Sequence, residues 1–128
     1  PGLSPAERRT AFLDLARTCG AIHRLDWRAL GLADLGRPGA YVQRHLATMT
    51  KVYARAGWRR IPSLDRLGAR VGANLDVPDE ACLVHGDFRI GNCFLHPREP
   101  RIVAVLDWEL STLGHPQADA VYLVQPWY

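Results

Sequence analysis

Three things are scarce in this chain, and each scarcity excludes a class of protein. No stretch of about 18 uninterrupted apolar residues occurs, and the first residues lack the basic-then-apolar pattern of a secretory signal. No segment therefore reads as a membrane-spanning helix. Lysine is nearly absent: of 16 basic residues only Lys51 is a lysine, and the arginines are scattered without a dense block. With a net charge of +3, this spread argues against nucleic acid or an anionic membrane as a partner. Cysteine is limited to Cys19, Cys82 and Cys93, an odd number in apolar surroundings without a C-x-x-C spacing. That pattern predicts reduced, buried thiols in a cytoplasmic protein.

What is present suffices for one domain. The 128 residues are 48% apolar, enough to build a core. The chain starts at Pro1 and stops within the apolar run VYLVQPWY, so residues 1–128 are expected to be a partial catalytic domain cut from a longer protein.

Hydrophobic periodicity divides the chain in two. Ser4-Pro5-Ala6-Glu7 carries a capping box with proline at the first helical position, and Phe12, Leu15, Ala16, Cys19 and Ile22 form one stripe, predicting a helix over about 5–24. His23, at its end, can meet the last helix carbonyls or pack near the loop carrying Asp87, and the first is preferred. Val42, Leu46, Met49, Tyr53 and Ala56, followed by Gly57, predict a second amphipathic helix. Ser63 is expected to cap a third, with Leu64, Leu67, Val71 and Leu75 as its stripe and Val77-Pro78 as its stop. From Ala81 the texture turns to short β-favouring runs: ACLV, then a hairpin of 92–96 and 101–106 around a loop at 97–100. WELSTLGHP reads as irregular and ADAVYLV as the start of a helix, giving the order α-α-α-β-β-β-α.

The stretch HGDFRIGN sets Asp87 after His85-Gly86 and Asn92 five residues after Asp87. This is the spacing of the kinase catalytic loop, H-R-D-x-x-x-x-N, with Gly86 in place of arginine. The spacing divides labour: a carboxylate faces the attacking hydroxyl while a neutral amide, one loop away, holds Mg²⁺ on the nucleotide phosphates. Asp107, ending the hydrophobic run RIVAVLD, stands where the kinase D-F-G aspartate binds metal, and Trp108 takes the place of the phenylalanine.

HGDFRIGN, the hairpin, VLDWELSTLGHP and Asp119 together resemble the aminoglycoside phosphotransferase family of kinase-like enzymes, in particular the branch associated with acyl-CoA dehydrogenases. AIHRLDW and GLADLGRPGAYVQRH extend that resemblance upstream. It implies an α+β fold: the helical C-terminal lobe of a protein-kinase-like structure, with a short β-hairpin carrying the catalytic loop and the N-terminal lobe absent. It implies ATP as co-substrate and Mg²⁺ as cofactor, with Asp87 as the base and Asn92 and Asp107 as metal ligands that also contact the nucleotide. Asp119 is implied to brace the catalytic loop through backbone N–H groups, and His85 to anchor it. Arg89 is a candidate to neutralise transition-state charge. Glu109 is either a substrate or second-metal contact or a loop brace. The family's usual G-D-P is here Gly114-His115-Pro116.

The implied partners are a small hydroxylated substrate, such as a hydroxyacyl-CoA-like metabolite, the small lobe itself and an acyl-CoA dehydrogenase domain or protein. Lys51 sits inside a helix with no preceding strand, so it does not serve as the nucleotide lysine, and the chain alone is expected to have little kinase activity. The rival reading is a kinase-like module that binds without transferring phosphate. His85, His96, His115 and Cys93 share neither spacing nor a helix face that would make a zinc set.

Overall fold

A computed structural model describes residues 2–76, 78 and 80–125. The expectations attached to Pro1, Val77 and the last three residues lie outside this set.

α1 (Pro5–His23) begins as its sequence dictates: Ser4 Oγ accepts the Glu7 N–H at 3.3 Å, and Glu7 Oε2 accepts the Ser4 N–H at 2.8 Å. Such a cap is worth about 1 kcal/mol. The buried face of α1 is Ala11, Leu15, Cys19 and Ile22; Ala16 is exposed, a shift of the stripe by part of a turn. α2 (Tyr41–Arg55) and α3 (Pro62–Gly72) pack on each other and bury no residue fully. α3 corrects the sequence reading at both ends. Ile61 is its N-cap, Pro62 opens it, and it stops at Gly72, so Ser63 caps nothing and Leu75 lies beyond it.

Four short strands follow. β1 (Cys82–Val84) pairs antiparallel with β4 (Thr112–Gly114), and β2 (Cys93–Leu95) with β3 (Ile102–Val105). The hairpin is present but shorter than its hydrophobic runs, and Asn92 lies in the 3-10 turn Ile90–Asn92 rather than in a strand. β4 falls inside WELSTLGHP, which the sequence reads as irregular; three residues are too few for a period-two signal. α4 (Gln117–Val124) closes the described fold.

The core lies between α1 and the strands. Leu15, Cys19 and Ile22 meet Leu83 and the fully buried Phe88, whose side chain contributes about 2–3 kcal/mol by its burial. Phe88 follows Asp87 directly, so core packing fixes the loop that carries Asp87. Asp14 Oδ2 accepts the Ile102 N–H at 2.7 Å, tying β3 to the same helix. Among the described residues no helix is long and apolar enough to cross a membrane.

Candidate active site

The loop from β1 into the hairpin has one backbone requirement. Gly86 adopts φ +86°, and a Cβ there would stand 2.5 Å from the Leu110 carbonyl oxygen. Only glycine satisfies both conditions. The turn brings His85 fully into the interior, where its ring joins the two halves of the site. His85 Nδ1 accepts the Asp87 N–H at 3.3 Å, and its Nε2–H donates to the Leu106 carbonyl at 2.8 Å. These two bonds select one tautomer. Trp108 packs on the same ring, 4.7 Å between centroids, and its Nε1–H donates to the Val105 carbonyl at 2.9 Å.

Asp87 and Asn92 are in direct contact. Asn92 Nδ2 donates to the Asp87 carbonyl and to Asp87 Oδ2, both at 2.9 Å, while Arg89 Nε donates to the same Oδ2 at 3.1 Å. Arg89 first, and Asn92 second, hold the Asp87 carboxyl below the usual carboxylate range. Asp87 Oδ1 accepts no hydrogen bond from the described residues, so one oxygen of an ionised carboxylate stays available. The Asn92 amide is used through its nitrogen, which leaves Asn92 Oδ1 without a partner among the described residues.

Asp107 reaches this cluster through its neighbour. The Leu106 N–H donates to the Asn92 carbonyl at 2.8 Å while the Leu106 carbonyl takes the His85 Nε2–H, so the end of β3 is clamped to the loop 85–92 from both sides. Asp107 itself is left-handed, φ 66° and ψ 56°. Such a conformation costs an ordinary L-residue about 1–2 kcal/mol, and aspartate is among the few that adopt it. Its exposed carboxylate has no partner among the described residues. Two unused hard oxygen donors, Asn92 Oδ1 and the Asp107 carboxylate, are the donor type Mg²⁺ selects.

Asp119, at the start of α4, supports the loop from beneath. It is fully buried; Oδ2 accepts the His85 N–H and Oδ1 the Gly86 N–H, each at 2.8 Å. Burial alone pushes its carboxyl up, but His23 and the His85 and Gly86 N–H groups outweigh that and hold it below the ordinary value. For His23 the sequence favours the α1 carbonyls over packing near the loop, and the structure reverses that preference. The His23 Nε2 lies 2.9 Å from Asp119 Oδ2 instead of serving the α1 carbonyls, because a buried carboxylate is the stronger acceptor. Glu109, in the 3-10 turn Trp108–Leu110, is exposed and has no partner among the described residues.

The profile of the phosphotransferase enzyme family (APH) matches residues 1–128. The chain belongs to that family. Rat acyl-CoA dehydrogenase family member 11 is 45% identical over 124 residues, covering 96% of this chain and 16% of the rat protein. The chain thus corresponds to a small part of a much longer relative. A crystal structure from Ralstonia eutropha, classed with the aminoglycoside phosphotransferases, matches with a TM-score of 0.91 and 44% identity, over 99% of this chain and 39% of that one. The streptomycin–ATP–APH(2")-IIa ternary complex shares the fold, with a TM-score of 0.62 and 19% identity over 95% of this chain and 43% of that one.

The kinase-like α+β architecture of this phosphotransferase family accounts for the order of elements, including β4 and α4. Where the family's usual G-D-P is replaced, His115 is buried and its Nδ1 accepts the Gln117 N–H at 3.3 Å. The imidazole acceptor thereby serves an amide in the first turn of α4.

Proposed function

We propose that this chain carries the catalytic part of an ATP- and Mg²⁺-dependent phosphotransferase acting on a hydroxyl of a small molecule. The observation that carries this reading is the Asp87 carboxylate: ionised by its Arg89 and Asn92 contacts, with Oδ1 open toward an incoming group. A carboxylate held so far below neutrality is a weak base. Its contribution is to accept the hydroxyl's hydrogen bond, orient the oxygen for attack and take the proton late in the transfer. Asn92 and Asp107 would hold the metal, which when bound neutralises charge on the nucleotide phosphates. Asp119 and His85 position the loop and act through Asp87 rather than on the substrate.

ATP is supported by the nucleotide in the distant ternary-complex relative. The acyl-CoA dehydrogenase relatives favour a hydroxyacyl-CoA-like acceptor, and a small lobe and a dehydrogenase unit elsewhere in the protein as partners. Three free cysteines support a reducing, cytoplasmic setting.

The test is transfer of the γ-phosphate from Mg-ATP to a panel of hydroxyacyl-CoA and other hydroxylated acceptors by the full-length protein, followed by mass spectrometry. A product heavier by one phosphate supports the reading; ATP that stays intact with every acceptor contradicts it. In the same assay Arg89→Ala is expected to lower turnover by more than about threefold, through lost charge neutralisation and a freed Asp87. A smaller effect leaves Arg89 with no part in the transfer.

A further inference from the structure

Away from the Asp87 carboxylate, three chemically different ligand groups meet where α1 passes the start of α4. Cys19 and His23 are four residues apart on α1, so their side chains share a helix face. Asp119 enters from α4. Cys19 Sγ lies 3.7 Å from His23 Nε2, His23 Nε2 lies 2.9 Å from Asp119 Oδ2, and the three ligand atoms all fall within 4.8 Å of one another.

Those separations can be compared with the edges of a coordination tetrahedron. Metal–sulfur bonds of about 2.3 Å and metal–nitrogen or metal–oxygen bonds of about 2.0 Å give S···N edges of about 3.6 Å and N···O edges of about 3.3 Å. The first edge is already met. The second requires a few tenths of an ångström of opening and exchange of the His23 Nε2 proton for the ion.

Thiolate, imidazole and carboxylate together select zinc-class cations over magnesium, which prefers oxygen alone. Cys19 and His23 also line a cavity of about 310 Å³ with Ala16, Gly20, Pro116 and Gln117, and the small residues keep it open. This gives a fourth coordination position access to water. Burial, and next the Asp119 charge, push the Cys19 thiol up to about 12. The negative field behind the second effect is also what attracts a cation, and coordination deprotonates a thiol outright.

We propose that Cys19, His23 and Asp119 form a three-ligand site for one zinc-class divalent cation, its fourth position facing the α1–α4 cavity. Because Asp119 also holds the His85 and Gly86 N–H groups, ion and catalytic loop share one carboxylate.

Cobalt(II) titration of the purified protein, followed by visible absorption, tests this. One equivalent is expected to give the intense bands of tetrahedral cobalt with a thiolate-to-cobalt charge-transfer band, both abolished when zinc is added. Cys19→Ser should lose the charge-transfer band and weaken binding by at least about tenfold, whereas Cys82→Ser and Cys93→Ser keep both. Cobalt on the all-oxygen Asn92–Asp107 donors would give only weak six-coordinate bands, so the two sites are distinguishable. Absence of the charge-transfer band in the unmutated protein overturns the proposal whatever the variants do, and so does a band that survives Cys19→Ser.

Discussion

Asp87→Asn is expected to reduce phosphoryl transfer by about 10²–10⁴-fold, the range that positioned acid–base groups contribute. The amide retains the shape of the carboxylate and one oxygen to accept from Asn92. It loses the charge that pairs with Arg89, and whichever group faces the acceptor hydroxyl no longer takes its proton. Because Arg89 and Asp87 are both partly open to solvent, their pairing contributes little to folding. The thermal midpoint should therefore stay within about 2 °C of the unmutated protein. Turnover within about threefold of the unmutated enzyme would remove Asp87 from the reaction.

The second large effect is on stability. Asp119→Ala leaves the buried His85 N–H and the half-buried Gly86 N–H without acceptors and strips His23 of its partner, and such losses together cost about 3–5 kcal/mol. Urea unfolding should show a midpoint lowered accordingly. The pH dependence has a defined sign. Asp119 is held below its ordinary value in the folded protein, so its contribution is fully present above the unfolded carboxylate value, near pH 4, and is lost as pH falls through the lower folded value. The unmutated protein should accordingly lose more stability between about pH 5 and pH 3 than Asp119→Ala does. Parallel pH profiles for the two would show that Asp119 is not the group that matters.

The long signals in this sequence were legible and the short ones were not. A 19-residue helix with a capping box announces itself by spacing alone, and α1 begins at the predicted residue. β4 is three residues long and finds β1 across the fold, so it is set by tertiary pairing that no local pattern encodes. The grouping of His85, Asp87 and Asn92 was readable because it is local: the three lie within eight residues and bond to one another. Asp119 and His23 meet across 96 positions. The resemblance supplied a bracing role for Asp119, while the two readings of His23, helix-end carbonyls or packing near the loop, were ranked in the wrong order because its partner lies on a distant helix. Ser63 shows the converse error: a good capping residue is overruled when proline one position earlier already starts the helix.

Asn92 and Asp107, on two segments joined by the Leu106 hydrogen bonds, are proposed to hold a metal–nucleotide complex. The most direct test is calorimetric titration of ATP into the full-length protein, with and without Mg²⁺, beside Asp107→Asn. Mg²⁺-dependent binding is expected, weakened by at least about tenfold in the variant because an amide is a poorer magnesium ligand than a carboxylate. Binding that is indifferent to Mg²⁺, or equal in both proteins, would contradict it.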